Sequence, residues 1–252
     1  MGKLIKYELK KQMLSKIVVG VLAAICEAVF FVGLIIDNGE WAGFGLGALF
    51  ILGFVSLFYF SFETIITYSN DLKTKQSYML FLIPRNMYQV MGAKMVTTLL
   101  QILLVGAAFA AIIIGDVFAV CARYGEIEEM IEMFKMMFAE LSGIHVELEE
   151  VLYVISTVLV VWIEFILMAM FAITISTTLF ANKRYIRVIS FGIYIVFELL
   201  LGKVADLVTD GAMSGEVFEL NAMAWIYIGV YAVAMVLCYF GTTWLLDKKI
   251  SV

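Results

Sequence analysis

Long apolar runs separated by short polar connections make up nearly the whole chain. Six runs can be drawn, at about 17 to 36, 42 to 68, 93 to 120, 151 to 180, 188 to 205 and 223 to 246. A bilayer core of about 30 Å takes roughly 20 apolar residues as one helical span. Backbone N–H and C=O groups in hydrocarbon must be satisfied within their own segment, which selects helices over open strands. The pattern therefore predicts an all-α membrane protein with six transmembrane helices, forming a single transmembrane domain over residues 1–252. Three shorter segments carry helical periodicity of their own. In residues 3 to 16, Ile5, Leu9 and Met13 form an apolar stripe beside Lys3, Lys6 and Lys10, as in an interfacial helix whose lysine stems snorkel. Between the second and third runs, residues 69–94 mix charge with Tyr78, Phe81 and Leu82. Ser69 or Asn70 would cap a short helix from about Asp71 to Leu82, and Pro84 would end it. In the 121–150 connection, Ile127, Met130, Ile131, Phe134, Met137 and Leu141 predict a short amphipathic helix.

Composition agrees with this layout and charge orients it. The chain is 63% hydrophobic and 15% charged with a single proline, which no soluble domain of 252 residues would keep in solution. The net charge of -5 matters less than where the charges lie. Fourteen of the 17 lysines and arginines fall in the N-terminal segment, the second-to-third and fourth-to-fifth connections and the tail. The positive-inside rule then predicts cytoplasmic N- and C-termini and an extracellular 121–150 loop. The run from Ile17 to Ile36 is too long for a signal-peptide core and lacks a small-x-small cleavage site before Asp37, so it is read as the first span. Cys26, Cys121 and Cys238 form no C-x-x-C pair, and His145 is the only histidine, so neither a redox pair nor a two-histidine zinc site is expected.

Glu27, Glu63, Glu164 and Glu198 lie within apolar runs. An acid at mid-membrane opposes insertion by roughly 2.5 to 3.5 kcal/mol, and the large apolar residues of the first run, at roughly 0.3 to 0.6 kcal/mol each, offset Glu27. Such acids face inward. Glu27, Glu164 and Glu198 either line a path for a cationic or amphipathic substrate or are protonated and bonded between helices. Glu63, nearer the inner end, reaches water or a lysine. Met130, Phe134 and Met137, with the other methionines of that segment, either receive varied apolar chains or pack on the bundle or a second protomer. Gly43, Gly45 and Gly47 suit close helix packing. The chain has no G-x-x-x-x-G-K-[ST] loop to cradle ATP phosphates. An intramembrane protease lacks its nucleophile and base here. A proton- or ion-coupled carrier using the glutamates is the alternative to an ATP-driven transporter, although such carriers show internal repeats and broken helices that are not visible in this sequence.

The stretch YMLFLIPRNMYQVMGAK, preceded by a basic amphipathic N-terminus and two spans, resembles the permeases of type-2 ABC exporters. There a tyrosine or glycine, an apolar run, a proline, a polar or basic residue and a glycine-lysine lead into the third span. The matching positions are Tyr78, Pro84, Arg85, Gly92 and Lys94, with Ala93 inserted between the last two. The resemblance implies an elbow helix within residues 1–16 and a coupling helix at about 71 to 83, resting in a groove of a separate ABC ATPase subunit. Lys73, Lys75, Gln76, Tyr78, Phe81 and Arg85 would make that contact. It further implies a second permease copy or close paralogue, ATP and Mg bound on the partner ATPase, and no cofactor, metal or catalysis on this chain. By the same analogy the cargo is an amphipathic peptide, such as a toxin or antimicrobial, expelled across a bacterial plasma membrane. No nucleic-acid partner is implied.

Overall fold

The computed structural model describes residues 2–73, 86–124, 148–180, 185–213 and 220–249. Seven α-helices account for nearly all of them: α1 Gly2–Lys11, α2 Met13–Ile36, α3 Gly39–Lys73, α4 Met87–Tyr124, α5 Leu148–Leu179, α6 Ile186–Met213 and α7 Leu220–Lys249. Six, α2 to α7, are long and apolar enough to cross a membrane. The protein is an all-α, multi-pass membrane protein. At 1.5 Å per residue, α3 and α4, of 35 and 38 residues, span about 50 Å or more, so they must tilt or project beyond a hydrocarbon core of about 30 Å.

Two differences from the sequence pattern concern helix ends. Ser69 and Asn70 do not start a new helix: α3 continues unbroken through them to Lys73, and Ser69 is buried. Intrahelical bonds already satisfy the backbone there, so no cap is needed. The rest of the expected 71–82 helix, and the expected helix around Met130, Phe134 and Met137, lie outside the described residues. The N-terminal segment breaks at Gln12, where the backbone leaves helical geometry at φ -101°, ψ 16°. Its inward face also differs from the expected stripe. Leu4, Ile5 and Leu9 are partly covered, Glu8 and Gln12 are buried, and Met13 is exposed.

The chain forms two compact units, Met1–Thr64 with Gly92–His145 and Ile65–Met91 with Val146–Val252. In the first, α2 and α3 make a tight antiparallel hairpin. Asp37 adopts the left-handed conformation, φ 60°, in which an acidic or amide side chain is tolerated, and the Asn38 N–H bonds to the Gly33 carbonyl at 3.0 Å. The Asn38 side-chain oxygen then accepts from the N–H groups of Glu40 and Trp41 at 3.1 and 3.4 Å, capping α3. Glycine lets the backbones touch. A Cβ on Gly33 would lie 2.3 Å from the Ala42 nitrogen, and one on Gly45 would lie 2.6 Å from the Phe30 nitrogen. Gly43 and Gly47 have open space instead, so only Gly45 of the three expected packing glycines acts as one.

In the second unit, α5 packs against α6 and α7. Ile166, Leu167, Met168, Ala169, Met170, Ala172 and Ile173 are all buried, too many consecutive positions for a helix with one wet face. The end of α3 is tied to α5 by Tyr68, whose hydroxyl lies 2.5 Å from the Thr174 hydroxyl. Thr174 donates its own proton to the Met170 carbonyl at 2.9 Å, so Tyr68 is the donor. The start of α4 is tied to α7 by Tyr239, which donates to the Tyr88 carbonyl at 2.8 Å.

Gly33→Leu and Gly45→Leu are expected to destabilise the hairpin by about 1 to 3 kcal/mol through forced separation of the backbones. Gly43→Leu serves as the control. Thermal unfolding of the detergent-solubilised protein checks this, with lower midpoints for the first two and little change for the third.

Candidate functional site

Polar side chains inside an apolar bundle are its chemically unusual feature, and they fall into three groups. The first begins on α1. Glu8 and Lys94 form an ion pair at 2.6 Å with side chains 11% and 4% exposed. One turn further, Gln101 donates through its side-chain nitrogen to the Gln12 side-chain oxygen. Ser15 then donates to Glu63 Oε1, and the Tyr59 hydroxyl lies 3.4 Å from Ser15 Oγ. Lys16 donates to the Leu9 carbonyl at 3.3 Å and faces Glu63 electrostatically, so the reading of Glu63 as close to a lysine agrees with its surroundings. Thr98 reaches Thr64 at 3.2 Å. The ladder explains both the break at Gln12, whose side chain is turned to α4, and the burial of Glu8 among lysines. Its sequence signal is visible in retrospect: Glu8, Gln12 and Ser15 are spaced four and three apart, opposite Lys94 and Gln101 seven apart. Reading lysines only as orienting charges hid it.

The second group continues the same pair of helices. Gln12 meets Gln101 at a sequence offset of 89, and Glu27 meets Asp116 at the same offset, so α2 and α4 run parallel in constant register. The carboxyls of Glu27 and Asp116 are within hydrogen-bond reach of each other. Apart from this mutual contact, neither Asp116 oxygen nor Glu27 Oε2 has a hydrogen-bond partner among the described residues, and Asp116 is 1% exposed. Asp116 was missed because it sits amid the longest aliphatic stretch of the third run. Between the two polar contacts lies a half-open cavity of about 350 Å³, walled by Gly20, Ala23, Val105 and Phe109, with Lys16 at one end and Glu27 at the other.

The third group belongs to the second unit. Glu164 on α5 is 1% exposed with Oε1 unpartnered, and it faces Glu198 on α6. The Tyr194 hydroxyl bonds to Glu198, and the Tyr194 ring meets Phe165 edge-on at 5.8 Å. From α7, Tyr231 stacks on Tyr227 at 5.3 Å and faces both acids. Two facing carboxyl groups, with tyrosine hydroxyls beside them, present oxygen atoms and negative charge that suit a cation. Glu27 therefore belongs to one acidic pair and Glu164 with Glu198 to another. Of the expected coupling residues, Lys73 closes α3 with its backbone, while Lys75, Gln76, Tyr78, Phe81 and Arg85 lie outside the described residues. Among the described residues, no three His, Cys, Asp or Glu side chains converge to hold a metal ion.

Removing one partner of the Glu8 and Lys94 pair leaves a buried charge uncompensated. Lys94→Met is expected to destabilise the protein by about 3 to 5 kcal/mol, whereas Lys94→Met combined with Glu8→Leu recovers most of the loss. Thermal unfolding together with proteolysis within the N-terminal helix distinguishes these outcomes.

Comparison with known proteins returns no matching family model, no matching curated sequence and no matching solved structure.

Proposed function

We propose that this chain is the permease subunit of an ATP-driven exporter of the type-2 ABC kind, moving a hydrophobic or amphipathic peptide out of a bacterial cell. The observation that carries this reading is the ion pair between Glu8 and Lys94. Lys94 is the lysine of the Gly-x-Lys sequence entering the third span, and Glu8 lies on the separate N-terminal helix. The two segments that resemble an elbow helix and a span-three approach are thus mechanically one piece. In this mechanism the partner ATPase binds the segment between α3 and α4, around Lys75, Gln76, Tyr78, Phe81 and Arg85. ATP binding and hydrolysis with Mg on that partner displace the segment, and the displacement reaches the start of α4. Because α1 is fastened there by a desolvated charge pair, α1, α2 and α4 shift together. A second permease copy completes the pathway, and the buried acids select cationic cargo.

A proton- or ion-coupled carrier is the second reading. It is favoured by the facing carboxyls of Glu27 and Asp116, which hydrogen-bond to each other only when one of them carries a proton.

Reconstitution with the ATPase encoded beside this protein decides between them. Export into vesicles is expected to require ATP and Mg and to persist when the proton gradient is collapsed; the reverse dependence overturns the exporter reading. Charge reversal at Lys73 and Lys75, or Tyr78→Ala with Phe81→Ala, is expected to weaken copurification with the ATPase at least several-fold. Unchanged association would place the contact elsewhere. Glu164→Gln with Glu198→Gln is expected to slow export of a cationic peptide by about tenfold, equivalent to about 1.4 kcal/mol, with assembly intact by size-exclusion chromatography. Loss of assembly assigns these acids a structural role.

A further inference from the structure

We infer that the cavity between α2 and α4 binds a primary ammonium group carried on a single apolar chain, with the ammonium held by Glu27, against whose carboxyl Asp116 lies, and the chain extending toward Lys16. The inference names the cargo class of the export reading and rests on it only in taking the occupant to be cargo.

Charge pairing within the first unit sets the problem. Glu8 is paired with Lys94, and Glu63 accepts from Ser15 beside Lys16. Among the described residues, Glu27 and Asp116 have only each other. Three of their oxygens, Glu27 Oε2 and both of Asp116, are buried without a donor, and Asp116 is 1% exposed. A proton shared by the two carboxyls supplies a single donor. A primary ammonium supplies three, together with the missing positive charge. A bare metal cation fits poorly, since hard cations take six or more oxygens and the lining apart from Glu27 and Lys16 consists of apolar residues.

That wall supplies the rest of the ligand. At about 350 Å³ the cavity lies at the lower end of the range for small-molecule sites, apolar along its sides with polar groups at its ends. Lys16 and Glu27 are eleven residues apart on one face of α2, a rise of about 16 Å, which matches an extended aliphatic chain rather than a compact ion. Lys16 makes the site directional. A cation at that end meets the Lys16 ammonium and no carboxylate of the cavity lining, so a molecule charged at one terminus is accepted and a second charge is not matched. An aliphatic amine and the free amino terminus of an apolar peptide share this chemistry.

The test is photolabelling of the full-length protein in phosphatidylcholine nanodiscs with a primary alkylamine carrying a diazirine in its tail. Modified peptides are then mapped by mass spectrometry. Labelling is expected on the α2 segment around Gly20 and Ala23 and on the α4 segment around Val105 and Phe109. Dodecylamine should compete and dodecanol should not. Free-amino trileucine as a second competitor separates the two sources: its success indicates a peptide terminus, and its failure beside competition by dodecylamine indicates an aliphatic amine. Glu27→Gln with Asp116→Asn is expected to reduce labelling about tenfold or more, as loss of charge-assisted contacts requires. Gly20→Phe should abolish it by filling the groove, since Gly20 lines the cavity and a Cβ there meets nothing within 4 Å. Gly43→Phe, equally unobstructed but not part of the cavity wall, should leave labelling unchanged. Equal competition by dodecanol, or labelling indifferent to both the acid and the Gly20 variants, overturns the inference. The assay uses no ATPase. Specific labelling without ATP-driven export therefore sinks the exporter reading alone, and export without specific labelling sinks the site alone.

Discussion

A polar group in hydrocarbon has no water to fall back on, so each must find its partner within the protein or oppose folding by several kcal/mol. This constraint organises the molecule at every scale. The backbone answers it by forming helices. Hydroxyl side chains answer it locally, by bonding to carbonyls three or four residues back: Thr64 to Phe60, Thr97 to Ala93, Thr98 to Lys94, Thr242 to Cys238. Charged and amide side chains cannot hide on their own helix, so they impose relations between helices. Glu8 requires Lys94, Gln12 requires Gln101 and Glu63 requires Ser15.

Those relations fix the register of α2 against α4. Dispersion between Ala, Val and Phe side chains tolerates small slides, because lipid tails are as apolar as the helices themselves. A paired glutamine and a paired carboxylate, both at an offset of 89, do not: a slide by one turn would leave several polar atoms unpaired. Between the two fixed points, Gln12 just ahead of α2 and Glu27 about 22 Å further along it, small residues leave the helices incompletely packed. The cavity is thus the space between two polar pins. The Glu8 and Lys94 pair, in turn, fastens the N-terminal helix to the first part of α4.

The second unit meets the constraint differently. Its buried acid, Glu164, faces another acid and tyrosines rather than a base, and Tyr194 satisfies Glu198. Around it α5 is covered on all sides, and hydroxyl bonds such as Tyr68 to Thr174 join elements far apart in sequence.

The six spans were legible from the sequence alone, because the thickness of hydrocarbon sets the length of an apolar run and the absence of water sets its helical form. Span ends were less legible, since Ser69 and Asn70 read equally as a cap or as interior residues until neighbours are known. Glu27, Glu164 and Glu198 could be named as inward-facing acids, because no other placement in a membrane is tolerable. Which acid faces which group was not legible. Asp116 opposite Glu27, Glu198 opposite Glu164 and Lys94 opposite Glu8 are separated by tens of residues, and no local periodicity records an interhelical register. The apolar pattern thus determined what each segment is, through its transfer from water to lipid. Only the tertiary structure decided which polar side chains become partners, because that depends on contact between helices, and with it where a cavity bordered by Glu27 and Lys16 remains.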